Sequence, residues 1–190
     1  MASAMEVQLR LQSAAKPELI RKTAADPSVV KICVHPFFYR QIAEQFPARA
    51  EKYKIFERNI VSLFKEPSDF ENAIFMLQSS PSPEDAYAMT HRVFVEHGGL
   101  FVPKHPVFYS VQGKINQWRY EAENRATHAF EALEAMLLNP DSKIVFVFGL
   151  CRSLCVSDAR DEISQMLKRA KKEAFIVTNR VVTKDYADFR

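Results

Sequence analysis

Glycine is scarce in this chain, with four residues in 190, against roughly 13 at the usual ~7% frequency. Loops that cradle nucleotides need glycine where the backbone closes on a phosphate, so dinucleotide-binding and P-loop chemistry are excluded. Cysteine is scarce as well. Cys33, Cys151 and Cys155 are too few and too unevenly spaced for a disulfide framework. Neither Cys151 nor Cys155 is followed by a second Cys or His pair at zinc spacing. No metal and no cofactor is expected, and a reducing compartment is the natural setting. Long apolar runs are also missing. The longest, Ile144–Leu150, suits a buried strand and falls far short of the about 18 residues that cross a bilayer. The expectation is a soluble chain with no membrane contact.

What is present is a mildly basic chain, with a net charge of +3. That balance admits a nucleic-acid neighbour without requiring one. Lys168, Arg169, Lys171 and Lys172 form the one dense basic cluster. It falls in the last turns of a predicted helix, where the helix dipole favours cations, so the plain reading is a solvated helix end. Residues 1–28 carry Arg10, Lys16, Arg21 and Lys22 among alanines and serines, but also Glu6, Glu18 and Asp26. This is a weak match to a mitochondrial presequence, and the segment is set apart as an amino-terminal extension, amphipathic or disordered.

From Val29 onward, short apolar runs alternate with helical stretches. Val29–Val34, Ala73–Leu77, Leu100–Val102, Lys143–Phe148 and Ala174–Thr178 lack polar alternation, as strands covered on both faces do. Helices are expected over Tyr53–Lys65, Pro83–His97, Gln112–Leu138 and Ser157–Lys172. Ser82 is a plausible cap for the second of these, and Gly98-Gly99 a stop. The pattern predicts an α/β fold of three α/β/α layers around a mainly parallel sheet, occupying residues 29–190 as one domain.

In such sheets, sites gather beyond the carboxyl ends of the strands. Three segments qualify: His35–Phe38, Pro103–His105 and Gly149–Val156. Cys155 stands at a predicted helix start, where unpaired N–H groups favour thiolate and would steady an oxyanion. An inert, packed cysteine is the commoner alternative.

The stretch FEALEAMLLNPDSKIVFVFGLCRSLCV (130–156) resembles the corresponding region of the isochorismatase-like (nicotinamidase-type) cysteine hydrolases. Gly149, five intervening residues, then Cys155-Val156 keep that family's spacing. VVKICVHPFFYRQIAEQF looks like the first strand and loop of the isochorismatase-domain-containing branch. FERNIVSLFKEPSDFENAIFMLQSS is similar to its next helix and strand, and AFIVTNRVVTKDYADFR to its late strand and loop. LFVPKHPVFYS resembles the segment holding the family's lysine, here Lys104. The resemblance implies Cys155 as nucleophile with Lys104 assisting.

The departures bear on activity. The aspartate that ends the family's first strand, its general base, is replaced here by Val34 or His35. Cys151-Arg152-Ser153 stands where a threonine-containing turn is usual. Asn179 stands where an acid is expected. Residues 112–128 look like a helical insertion, and the domain is short at its carboxyl end. His35 is the one substitute base on offer.

Two readings lead, ahead of a plain oligomeric fold with some unrelated ligand and of direct nucleic-acid readout, for which no recognised binding motif appears. The first is a catalytically degenerate member serving as a structural or binding subunit of a larger assembly, with a mitochondrial, ribosome-like RNA particle as the candidate and homo- or hetero-oligomers admitted. Trp118-Arg119-Tyr120 would then be a contact point for protein partners. The second is a working hydrolase of a small amide or ester using Cys155, Lys104 and His35.

Overall fold

The structure is a computed structural model describing residues 2–78, 82–105, 107–110 and 123–190. In chain order the elements are α1 (Ala4–Ser13), α2 (Pro17–Ala24), β1 (Val29–Val34), α3 (Arg40–Ala43), α4 (Pro47–Val61), β2 (Ala73–Gln78), α5 (Pro83–Glu96), β3 (Phe108–Ser110), α6 (Glu123–Leu138), β4 (Ile144–Leu150), α7 (Cys155–Arg169), β5 (Phe175–Val177) and β6 (Thr183–Lys184). The strands form one sheet in the order β3-β2-β1-β4-β5, with β6 beside β4. Each recorded pairing is parallel. Among the described residues, no helix is long and apolar enough to cross a membrane.

Side chains alternate across a strand, and the two faces of this sheet carry separate cores. Val29, Cys33, Phe75, Phe146 and Phe148 face α1, α2, α4 and α5, meeting Leu11, Ile20, Phe56 and Phe94. Val30, Ile32, Val34, Ile74 and Val147 face α6 and α7, meeting Leu133, Leu137, Ile163 and Leu167. The result is a three-layer α/β/α arrangement. The first core is aromatic, with Phe75 edge-on to Phe101 at 4.9 Å and Phe64 against Phe70 at 5.0 Å. Lys31 interrupts the apolar run of β1. Its burial pulls the ammonium pKa down to about 8, against the attraction of Asp69 and Glu71.

Local signals set several boundaries. The Ser82 hydroxyl accepts from the Asp85 N–H at 3.1 Å to open α5. Gly98, with φ 73, closes it. Pro47 at the first turn of α4 starts that helix before the expected Tyr53. The apolar run Leu100–Val102, expected as the third strand, is a loop; the third strand is Phe108–Ser110. Leu100 is 67% and Val102 42% exposed, and only Phe101 is buried, so the run lacks the two-sided burial of a strand. Of the expected helix 112–138, the described part begins at Glu123, and Trp118-Arg119-Tyr120 lies outside the described residues.

Residues 4–24 fold onto the sheet, with Val7, Leu11, Ile20 and Ala24 inside the first core. Buried Asn179 donates its amide to the carbonyls of Leu11 at 2.6 Å and Ala14 at 2.9 Å, capping the end of α1. Between α3, α4 and α5, buried Arg40 bonds to Glu44 at 2.9 Å and faces Glu57 at 3.5 Å and Glu96 at 2.5 Å. His97 reaches the other oxygen of Glu57 at 3.3 Å.

Two strands approach closely at the sheet centre. Gly149 has φ +123, and a Cβ there would stand 2.0 Å from the Val34 carbonyl oxygen. Gly149→Ala is therefore expected to cost at least about 3 kcal/mol, the upper range for overpacking. Urea denaturation of the two proteins measures this directly, and a midpoint within error of the parent would disprove the constraint.

Candidate functional site

The carboxyl ends of β1, β4 and β6 lie side by side, and the loops leaving them meet. Val34 is opposite Gly149, and Gly149 is opposite Thr183 on its other side. The loop from β1 opens with His35, that from β4 with Cys151, and that from β6 with Asp185.

His35 adopts a left-handed backbone, φ 42, and its N–H donates to the Met76 carbonyl at 2.7 Å. Its ring is 1% exposed, and neither ring nitrogen has a hydrogen-bond partner. Burial lowers its pKa to about 4, so the imidazole is neutral at pH 7. The following residues are fixed from α4 and from the chain's end. The Tyr53 hydroxyl donates to the Pro36 carbonyl at 2.9 Å, and the Tyr39 ring lies 4.8 Å from that of Tyr186.

Cys155 is the first residue of α7 and is partly exposed. The expectation of a favoured thiolate is corrected. Burial raises its pKa above the ordinary thiol value; the backbone N–H groups of Cys151 and Cys155 oppose the rise, and Asp158 adds to it. Desolvation outweighs the helix end. Cys33, deep in β1, is raised by burial as well.

Lys104 lies exposed in the loop between α5 and β3. With no strand at 100–102, it precedes the third strand instead of following it. Among the described residues, no hydrogen bond or ion pair joins His35, Lys104 and Cys155. Only His35 and Cys155 are carried on loops from adjacent strand ends.

The residue that organises this region is Asp185. Its Oδ1 accepts from the Cys151 thiol at 2.9 Å, the Ser153 N–H at 2.9 Å and the Ser153 hydroxyl at 2.8 Å. Its Oδ2 receives the Arg152 fork, Nε at 3.1 Å and Nη2 at 3.0 Å. Burial pushes this carboxyl up, but the Cys151 thiol, the Ser153 amide and hydroxyl, and the Arg152 charge together bring it below the usual carboxylate range. The Cys151 thiol moves the other way, raised by burial and by the bond to Asp185. Arg152 is thus turned onto Asp185. The sequence signal for Asp185 was local: with Asp188 it forms a reciprocal capping pair around the turn Tyr186–Phe189.

Chemically, the region contains two protonated thiols, one neutral imidazole and one carboxylate saturated with donors. A cysteine hydrolase needs a base that reaches its nucleophile, and here the available carboxylate serves Cys151, Ser153 and Arg152. Among the described residues, no group of three or more His, Cys, Asp or Glu is gathered as metal ligands would be. The chain matches no family model, no curated protein and no solved structure.

The His35 environment has a pH consequence. Its pKa is about 6.5 when unfolded and about 4 when folded, so the unfolded chain binds the extra proton between those values. The stability it contributes is fully present above pH 6.5 and is lost as pH falls through 4, up to about 3 kcal/mol. His35→Asn removes the titration and tolerates the left-handed backbone. Urea midpoints from pH 7 to pH 4 should fall more steeply for the parent than for the variant. Parallel curves would refute the assignment.

Proposed function

We propose that this protein is a catalytically degenerate α/β domain of the isochorismatase-like type, acting as a structural or binding subunit of a larger assembly. The observation that carries the reading is His35. It stands where the resembled hydrolases place their base, yet it is buried, neutral and without a hydrogen-bond partner. The raised thiol pKa of Cys155 and the commitment of Asp185 to the Cys151–Ser153 turn support it further. Large apolar side chains left in solvent are in keeping with a partner-covered chain: Met5 at 61%, Leu9 at 56% and Leu154 at 56% exposure. The basic balance favours an RNA-containing particle, with a mitochondrial ribosome-like particle as the proposed setting.

The second reading, hydrolysis of a small amide or ester, draws on one feature: Cys155 at the start of α7 is the single partly exposed thiol. Lys104 and His35 would be its helpers.

Sedimentation of the native protein from its own cell extract, with and without ribonuclease, separates the two. A fast-sedimenting particle that loses mass on ribonuclease treatment is expected, with Cys155→Ala leaving its sedimentation unchanged. Migration as a small free oligomer, together with an esterase or amidase activity abolished by Cys155→Ala, would overturn the proposal in favour of the hydrolase.

A further inference from the structure

On the far side of α7 from the three converging loops, an open groove of about 500 Å³ runs between the end of that helix and the sheet edge. Lys143, at the entrance to β4, Lys168 on α7, and Lys172 just beyond it line the groove, with Phe175 of β5 in its wall. Among the described residues, none of the three lysines forms an ion pair with a carboxylate, and Arg169 and Lys171 lie exposed next to them in the chain. Glu173 is the one acidic side chain in the lining, and Asp141 also acts on Lys172. Lys172 hydrogen-bonds to the Asn139 carbonyl, which holds its ammonium beside that of Lys143.

Helix-dipole complementarity accounts for Lys168 and Arg169 at the end of α7. It does not account for Lys143, which lies on the other side of the groove and outside any helix. Nor does it account for Phe175, a phenylalanine 43% exposed at the sheet edge. Ammonium groups along a groove with an aromatic face in its wall are the combination that holds single-stranded nucleic acid: cations follow the phosphates while a base stacks on the ring. An acidic peptide would use the lysines and leave the ring idle. A duplex would offer phosphates and no free base face.

We propose that this groove binds single-stranded RNA, with Lys143, Lys168 and Lys172 on consecutive phosphates and Phe175 stacked on a base. The choice of RNA over DNA rests on the assembly proposed above; the groove chemistry does not. Three phosphate contacts give a salt slope of about −2 for single strands, so affinity drops roughly fifteen- to twentyfold between 50 and 200 mM salt.

The test is fluorescence anisotropy of the full chain with a fluorescein-labelled uridine dodecamer. Lys168→Gln/Lys172→Gln should reduce the slope to about −0.7. Phe175→Ser should weaken binding about tenfold with the slope unchanged. Lys22→Gln/Lys54→Gln, on the exposed faces of α2 and α4, should bind as the parent does, and circular dichroism checks that every variant is folded. Absence of binding at 50 mM salt overturns the proposal. So does a parental affinity in the Lys168→Gln/Lys172→Gln protein, or equal competition by polyglutamate or by duplex RNA.

Sedimentation separates this proposal from the broader reading. If the parent enters a ribonuclease-sensitive particle and the Lys168→Gln/Lys172→Gln protein enters it equally well, the groove fails while the assembly stands. If dodecamer binding follows the groove residues but the parent never enters such a particle, the groove stands and the assembly fails.

Discussion

The two central strands touch where one of them has no side chain. Gly149 on β4 lets the Val34 carbonyl of β1 approach to a distance that any Cβ would forbid. With Thr183 on its other flank, the same residue draws the ends of three strands into one narrow row. His35, Cys151 and Asp185 each follow directly from a strand in that row. The convergence of the loops is therefore a consequence of backbone packing before it is a matter of side-chain chemistry.

What fills that convergence is a set of satisfied bonds with two exceptions. Asp185 ties together the turn that begins at Cys151, and Tyr186, in ring contact with Tyr39, joins that turn to the loop from β1. An active cysteine needs the opposite: a base left free to move a proton and a thiol kept close to ionisation. Here the carboxylate is occupied by five donors and the thiols are desolvated. The exceptions are the Thr183 hydroxyl, buried with no hydrogen-bond partner, and the His35 ring, which pays a desolvation cost with no compensating bond and still stays neutral. The arrangement suits rigidity.

Much of the sheet was legible in the chain because parallel strands covered on both faces leave uninterrupted apolar runs. β1, β2 and β4 lie within a few residues of those runs, and Ser82 and Gly98 bracket α5 as their cap and stop chemistry implies. Leu100–Val102 misled because three apolar letters cannot say whether one side chain is buried or all three are. β3 was missed although Val107, Phe108 and Tyr109 make an apolar run of the same length, set between Pro106 and Ser110. The seating of α1 and α2 was hidden for another reason: Val7, Leu11, Ile20 and Ala24 are scattered among charged residues, and their burial depends on surfaces made much later in the chain. At the site, His35 and Cys155 were legible from position alone. Asp185 was not, because its partners at 151–153 are more than thirty positions away and no spacing rule connects them. The thiol's ionisation was misjudged since a helix start is visible in sequence and desolvation is not.

The bond from Asn179 to the end of α1 spans 168 positions, and this has a bearing on the order of events during synthesis. In a chain made from its amino end, α1 and its neighbour α2 emerge well before Asn179, which caps α1, and before β5, against which α1 rests. Throughout that interval Val7 and Leu11 have α2 beside them but lack β5. The seating of α1 on the sheet therefore waits on β5 and Asn179, so an element formed early is locked in place by residues made much later.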